Sequence, residues 1–254
     1  RMNVIRLLNE NLFTYNFQPI VNARTGCIYA YEALMRSGEE FRLSPLTILT
    51  HAEALDRLQD VEKCTMFNTM RFAMENQDLL GNKLLFINSI PACTLSDPDF
   101  EQLFQLYGDI MSKIVVEFTE QTEASSSQLK TLIERSQRCG FQIAIDDYGT
   151  GYSNISNLLT FMPNVVKIDR SLIMNIHKDK RKKHFTKNII DYAHDNNFMA
   201  LAEGVELSEE LQTVIGMGVD LIQGYYTAKP SADIVQEIEP EISEEIVRLN
   251  RVSD

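Results

Sequence analysis

Two adjacent carboxylates, Asp146 and Asp147, come directly after an apolar run and just before the Gly-Thr-Gly turn at 149–151. Ionised neighbours about 4 Å apart repel each other by roughly 4 kcal/mol at the effective dielectric constant of a protein surface. Taken alone, the pair has an ordinary explanation, because aspartates often cap helices or form turns. Similar residues at the ends of other apolar runs favour a shared chemical role instead.

Nearly every other apolar run also ends in a side chain that binds cations or moves protons. These runs are CIYAYEALMR, LLFIN, KIVVEFT, NVVKID, FMALAE and DLIQ. The residues at or close to the run ends are Glu32, Asn88, Glu117, Asp146 with Asp147, Lys167 with Asp169, Glu203 and Gln223. In a parallel barrel the carboxyl ends of the strands lie on one face, where active sites of this architecture are found. We therefore expect these side chains to converge.

The charges of these residues predict a metal site. The −5 charge of Glu32, Glu117, Asp146, Asp147 and Glu203 and the +1 charge of Lys167 leave a net charge of −4, which two divalent cations would neutralise. A carboxylate at Asp146 could bridge two ions about 3.5–4 Å apart. All candidate ligands offer oxygen, and no histidine or cysteine ends a run, so Mg²⁺ or Mn²⁺ is favoured over zinc.

The elements that must position these residues alternate from Leu84 onward between apolar runs and amphipathic helical patterns. That alternation is typical of βα units around a mostly parallel sheet. The first two runs, FTYNFQPIVN and CIYAYEALMR, are joined by a tight turn at 23–26 and predict an antiparallel hairpin. A length of 254 residues suits a (β/α)8 barrel. We predict a single α/β domain over residues 1–254.

Composition limits the partners and the compartment. Acidic residues outnumber basic ones by 36 to 24, which argues against polymeric nucleic acid or an anionic membrane as a partner. The sequence has no apolar run of about 18 residues and no signal-peptide pattern, so we expect no membrane insertion in this segment. Four scattered cysteines fit reduced thiols in the cytoplasm. Because the chain begins with Arg1, excision from a longer multidomain protein with a regulatory domain is one interpretation.

The motifs and their order resemble those of the EAL domain, the bacterial cyclic-di-GMP phosphodiesterase family, across nearly the whole chain. The naming tripeptide stands at 32–34 in YEALMR, QPI stands at 18–20, and IDDYGTGYS, VKIDRS, AEGVE and QGYYTAKP follow in the family's order. The resemblance implies a modified TIM-like (β/α)8 barrel with an antiparallel first strand. It also implies hydrolysis of cyclic-di-GMP to linear pGpG with two Mg²⁺ or Mn²⁺ ions per active site, and a homodimer.

The resemblance implies a role for each matched residue. Metal binding falls to Glu32, Asn88, Glu117, Asp146 and Asp147. The catalytic positions are Glu203, as general base or ligand, Lys167, which orients the attacking water, and Gln223, which supports the metal shell. Substrate binding falls to Gln18, Arg36, Asp169, Arg170 and Glu206, and Glu120 is expected to stabilise the Asp-Asp-Tyr-Gly-Thr-Gly loop.

Two other functions fit parts of the pattern. A catalytically silent receptor for the dinucleotide would keep the fold, but silent relatives usually lack one of the acidic ligands and this sequence lacks none. A Mg²⁺-dependent lyase could use Lys167 as its base, although no second lysine base is evident. The RSGEEFRLSP segment is shorter than the common version of the family, and no tryptophan follows Arg36. Contacts to the guanine bases are therefore not predicted.

Overall fold

The protein forms a closed eight-stranded barrel in a computed structural model that describes residues 2–119, 126–149 and 162–253. The strands are β1 (Thr14–Asn22), β2 (Ile28–Arg36), β3 (Leu84–Asn88), β4 (Ile114–Thr119), β5 (Gln142–Tyr148), β6 (Val165–Ile168), β7 (Met199–Ala202) and β8 (Leu221–Ile222). Strand β1 runs antiparallel to both of its neighbours, β2 and β8, whereas the remaining neighbours are parallel. The predicted modified TIM-like barrel with an antiparallel first strand is confirmed.

Helices surround this barrel. Those described are α1 (Met2–Asn9), α2 (Gly38–Phe41), α3 (Pro45–Glu53), α4 (Leu58–Glu75), α5 (Gln77–Leu80), α6 (Asp97–Tyr107), α7 (Ser126–Cys139), α8 (Arg170–Ile173), α9 (Lys180–Asp195), α10 (Ser208–Gly216) and α11 (Pro240–Ser253). Short 3₁₀ turns lie at Pro91–Cys93, Gly108–Lys113 and Ile176–Lys178. Within the described ranges, none of the helices combines the length and the apolar character that a membrane crossing requires.

Local sequence signals explain where several helices begin. The Ser44 hydroxyl accepts a hydrogen bond from the Thr47 N–H at the start of α3, and Pro45 occupies the first helical position. Ser96 does the same for α6 by accepting from the Asp99 N–H. Such caps satisfy backbone donors that have no partner inside the helix.

The hairpin between β1 and β2 turns at 23–26, as predicted. The Asn22 side chain accepts hydrogen bonds from the backbone N–H groups of Arg24 and Thr25, at 2.9 and 3.0 Å. Gly26 closes the turn at φ +67°, a conformation in which a Cβ would also collide with Ser243 of α11. The turn therefore fixes both the direction of β1 and its packing against the C-terminal helix.

One apolar side chain from each of the eight strands fills the barrel interior. These fully buried residues are Ile20, Ala30, Phe86, Val115, Ala144, Val165, Leu201 and Leu221. A larger apolar core lies between the strands and the helices and includes Phe17 of β1, whose ring stacks on Phe72 of α4 at 4.2 Å between centroids. The interior layer closes the barrel beneath the residues described next.

Candidate active site

A ring of eight polar side chains sits directly above the apolar interior layer. Successive side chains of a strand point to opposite faces, so the residue two positions from each interior residue also points inward. For the parallel strands that step leads toward the carboxyl end, and for the antiparallel β1 it leads backward along the chain. The residues reached are Gln18, Glu32, Asn88, Glu117, Asp146, Lys167, Glu203 and Gln223. The convergence expected from the run ends is therefore found.

Lys167 lies at the centre of this ring. Its side chain is fully buried, and its Nζ lies 2.8 Å from Glu203, 3.0 Å from Glu117, 3.2 Å from Asp146 and 3.6 Å from Glu32. Four carboxylates, three on β2, β4 and β5 and one directly after β7, thus surround one ammonium group. A single positive charge leaves most of their negative charge without compensation.

The surroundings shift the pKa of the central groups. Burial opposes the charge on Lys167, but the carboxylates, led by Asp146, outweigh burial and raise the pKa of the ammonium well above its ordinary value. Burial, followed by the charge of Glu32, raises the pKa of Glu117 well above the ordinary range for a carboxyl group. Burial likewise raises the pKa of Glu203, although Lys167 opposes that shift. Lys167 therefore keeps its positive charge, and Glu117 and Glu203 hold protons more tightly than usual.

Amide side chains hold Glu32 from two sides. The Asn88 Nδ2 donates to Glu32 Oε1 at 2.8 Å, and the Gln223 Nε2 donates to Glu32 Oε2 at 2.6 Å. Gln223 also reaches Gln18 at 3.3 Å, and Gln18 donates to the carbonyl oxygen of Ala228 at 3.1 Å. These contacts orient the carboxylate of the EAL tripeptide.

A bulge in β5 explains how two adjacent acids can face the same site. The pairing of β5 with β6 shifts register between Ile145 and Tyr148, and Asp147 has φ +57°. Aspartate tolerates this left-handed region better than most residues. Carboxylate oxygens of Asp146, Asp147 and Glu203 consequently lie within 4.8 Å of one another, and burial, followed by Asp146, raises the pKa of Asp147 to about 6.

The donor set fits hard divalent cations. The carboxylate oxygens of Glu117 are buried and accept no hydrogen bond from the described residues, although Oε1 forms the ion pair with Lys167. Burying such oxygens without donors is costly unless a cation compensates them. The ligands offered are oxygens, which suit Mg²⁺ or Mn²⁺. Glu32, Asn88, Glu117, Asp146 and Asp147 could hold such ions, and their role as metal ligands stays a prediction.

The family assignment follows from comparison with known proteins. The model of the EAL domain family matches residues 3–230. The chain belongs to the EAL domain family. The predicted family resemblance is thereby confirmed.

Named relatives cover most of this EAL domain. Cyclic di-GMP phosphodiesterase PdeF of Escherichia coli K12 is 30% identical over 240 residues, which are 92% of this chain and 32% of PdeF. The chain spans about a third of the length of PdeF and of PdeR, another curated relative that it matches.

Solved structures of EAL proteins share the fold. A standalone EAL protein of Vibrio cholerae O395 in its c-di-GMP bound form is 34% identical, with a TM-score of 0.76, and the match covers 91% of this chain and 97% of that one. BlrP1 of Klebsiella pneumoniae, in a manganese/cy-diGMP complex, is 27% identical with a TM-score of 0.75, covering 87% of this chain and 56% of BlrP1.

A groove beside the ring is the candidate substrate site of this EAL domain. The cavity has a volume of about 480 Å³ and extends from Glu32, Asn88 and Arg36 along the apolar side chains of α3. The Arg36 guanidinium donates to the carbonyl oxygen of Met35 at 2.8 Å. Arg36 is thus the predicted substrate-binding residue that lines this groove.

Of the other predicted substrate-binding residues, Gln18 is a member of the ring, whereas Asp169, Arg170 and Glu206 come from the segments that follow β6 and β7. Arg170 pairs with Glu206 at 2.9 Å, and their side chains are 56% and 38% exposed. Asp169 caps α8 by accepting from the Ser171 N–H at 2.9 Å, so part of its function is structural. Glu120 and residues 150–151 of the Gly-Thr-Gly turn lie outside the described residues, and the predicted loop contact stays a prediction.

Glu210 is a buried acid outside the ring that shapes this EAL site, and the sequence did not indicate its role. Glu210 of α10 is 2% exposed and accepts hydrogen bonds from the backbone N–H groups of Asn175, Glu206 and Leu207. It therefore holds the turn that carries Glu206. An acid in the first turn of a helix is an ordinary helix-start signal, so its spacing alone gave no indication of these partners.

Gly224 is a second residue whose role only the structure reveals. A Cβ at this position would overlap the backbone of Val205, which exchanges hydrogen bonds with the residues around Gly224. We expect Gly224→Ala to lower the free energy of unfolding by about 1–3 kcal/mol, because the segments after β7 and β8 must separate. Chemical denaturation measures the change. Gly216→Ala is the matched control, since its Cβ would meet nothing within 4 Å, and equal losses in both variants would contradict the prediction.

Proposed function

We propose that this EAL domain hydrolyses cyclic-di-GMP to linear pGpG with two Mg²⁺ or Mn²⁺ ions per active site. The observation that carries the proposal is the ring itself, in which carboxylates on β2, β4 and β5 and one directly after β7 surround one lysine, and the oxygens of Glu117 accept no hydrogen bond from the described residues. Relatives that bear the name cyclic di-GMP phosphodiesterase support the substrate and the reaction. A neighbour solved as a manganese/cy-diGMP complex supports the use of a divalent ion.

The chain's own residues would divide the work of hydrolysis. When bound, the divalent ions acidify a water molecule toward a pKa of about 7 and withdraw charge from the phosphate. Lys167 remains protonated and can donate a hydrogen bond that orients the water. Glu203 lies 2.8 Å from Lys167, so its carboxylate is placed to accept the proton of that water.

Substrate recognition would use residues on both sides of the ring. Arg36 can present a forked pair of donors to a phosphate from the groove. Arg170 and Glu206 would contact the dinucleotide across the ring, together with Gln18 and Asp169. Their ion pair at 2.9 Å is exposed and thus open to exchange for a ligand.

The proposal extends to the setting of the reaction. We place the domain in the cytoplasm, as a homodimer and as part of a parent chain that contains a regulatory domain. Cyclic-di-GMP is the partner, and polymeric nucleic acid is not, because the net charge is −12. Size measurement by light scattering with and without the dinucleotide would test the dimer.

A chromatographic assay tests the central proposal. The purified chain should convert cyclic-di-GMP to pGpG with Mg²⁺ or Mn²⁺, and removal of the ions by a chelator should stop turnover. Glu32→Ala sets the background, because it removes the carboxylate held by Asn88 and Gln223. Glu75→Ala, an exposed acid at the end of α4, is the control that should keep activity.

Two results would change the assignment. Turnover no higher than that of Glu32→Ala would refute hydrolysis. If the chain nevertheless bound cyclic-di-GMP, for example in isothermal titration calorimetry, the silent receptor would be the correct alternative. If the chain neither bound nor hydrolysed cyclic-di-GMP, a panel of other substrates would test the lyase alternative.

A further inference from the structure

A buried acid outside the ring, Glu62 of α4, has no cation beside it. Its exposed fraction is 2%, and no ion pair in the described ranges of the chain includes it. Its two carboxylate oxygens accept one hydrogen bond each. The Ser89 hydroxyl donates to Oε1 at 2.6 Å, and the Ile90 backbone N–H donates to Oε2 at 2.7 Å.

The segment that Glu62 holds begins directly after Asn88, the last residue of β3. The Ser89 N–H donates to the carbonyl oxygen of Glu117 at 2.8 Å, so the same segment is tied to β4. Asn88 in turn pairs with Glu117 in the strand register and donates its side-chain amide to Glu32. Glu62 thus lies outside the ring, but it contacts Ser89, the residue that directly follows Asn88.

We infer that Glu62 is a positioning residue that fixes the turn after β3, so that Asn88 meets Glu32 in the geometry that metal binding requires. The inference rests on the proposed function, because it assigns Asn88 to the metal site. Residues that orient metal ligands from outside the ligand set typically contribute 10–100-fold to metal affinity.

The cost of burying this carboxylate supports a specific use for it. The pKa of Glu62 is raised to about 7, because the effect of burial outweighs the opposite effect of the hydrogen bonds from Ser89 and Ile90. An apolar side chain could fill the same space without that cost. What an apolar side chain could not supply is a pair of acceptors for a hydroxyl and a backbone N–H of the turn.

Glutamine separates the effect of position from the effect of charge. In Glu62→Gln, the amide oxygen can still accept from the Ile90 N–H, and the amide nitrogen can donate to the Ser89 hydroxyl, which is also an acceptor. Glu62→Ala removes both contacts. A positioning role predicts that glutamine preserves the function of the site, whereas a purely electrostatic role predicts that glutamine and alanine are equally harmful.

The test measures Mn²⁺ affinity by electron paramagnetic resonance and, in metal-free protein, the exchange rate of the Ser89 amide proton. We expect Glu62→Ala to bind Mn²⁺ about 10–100-fold more weakly and to lose protection at Ser89, with Glu62→Gln close to wild type in both. Ile190→Ala, a buried residue of α9, is the control for a general loss of stability, since large-to-small core changes destabilise by themselves.

Several results would overturn the inference. These are wild-type affinity and protection in Glu62→Ala, equal losses in Ile190→Ala, or a loss in Glu62→Gln as large as in Glu62→Ala. If Glu62→Ala fails to fold, Ser89→Ala replaces it, because it removes one of the two hydrogen bonds to Glu62. Its Mn²⁺ affinity and the protection of the amide proton at position 89 must then both fall below those of wild type, by less than the effect expected for Glu62→Ala. Wild type that binds no Mn²⁺ would overturn the proposed function, while the metal-free exchange of Ser89 would still decide whether Glu62 positions the turn.

Discussion

Replacing Lys167 with methionine is expected to lower the free energy of unfolding of the metal-free protein by about 3–5 kcal/mol. The side chain is fully buried, and its ammonium is the positive charge among the carboxylates of Glu32, Glu117, Asp146 and Glu203. Methionine keeps the length of the side chain but removes that charge, which leaves the acids to repel one another. Denaturation in urea with a chelator present measures the loss.

The pH dependence of this loss has a definite sign. Burial raises the pKa of Glu117 and Glu203 in the folded protein, so folding favours their protonated forms. The stability that these groups contribute is present at low pH and decreases as the pH rises through their raised pKa values. The destabilisation of Lys167→Met should therefore be smaller at about pH 5 than at about pH 8.

Added divalent cations should reverse part of the loss. Mn²⁺ is expected to stabilise Lys167→Met more than wild type, because binding then relieves a larger excess of negative charge. Lys130→Met serves as the control, since Lys130 is 76% exposed and its ion pair with Glu134 lies at the surface. A metal-free Lys167→Met protein as stable as wild type would show that the acids are not held together by this lysine.

Changing Glu117 to glutamine should lower turnover of cyclic-di-GMP by at least about 10²–10³-fold, the usual effect of removing one preorganised electrostatic group. The shapes of the two side chains are nearly the same, so the barrel should retain its packing. The exposed fraction of Glu117 is zero, and its oxygens accept no hydrogen bond from the described residues. Glutamine would place an amide where an anionic ligand is proposed.

Steady-state kinetics with saturating Mn²⁺ would measure this effect, and circular dichroism would verify the fold. The matched control is Glu101→Gln, because Glu101 is a half-exposed acid of α6 that pairs with Arg138 on the surface. If Glu117→Gln retained turnover within a few-fold of wild type, its assignment as a ligand would be wrong.

Most of the ring could be predicted because two regularities combine. Apolar runs locate the strands, and the period of two then leads from an interior residue to a polar one, as from Val115 to Glu117 or from Val165 to Lys167. The antiparallel hairpin brought Gln18 into the same ring by a backward step along β1. These relationships depend only on strand direction and side-chain alternation, which a single sequence carries.

The arrangement of Asp146 and Asp147 could not be predicted in the same way. Strict alternation would send adjacent side chains to opposite faces, whereas the bulge and the left-handed conformation of Asp147 bring both carboxylates to one site. The bulge depends on how β5 pairs with β6, which is a long-range property. The sequence predicted a shared role for the pair but not the backbone that permits it.

Glu62 was missed for a related reason. A charged residue in an amphipathic helix ordinarily faces water, and nothing within α4 indicates otherwise. Its partners Ser89 and Ile90 come from a different part of the chain and lie beside it only in the folded protein. Contacts between residues so far apart in the chain can be identified only from the tertiary structure, because the local sequence around Glu62 carries no sign of them.

The reversed direction of β1 has a consequence for how this barrel can be joined to other polypeptides. In an all-parallel barrel the chain enters at the face opposite the reaction centre, but here the residues before Thr14 enter on the same side as the polar ring. Helix α1 there packs its Leu7 and Leu8 with Ile48 of α3, the helix whose other side chains wall the groove. A domain fused ahead of Met2 would thus be attached directly behind that wall, within reach of the entrance that a ligand must use.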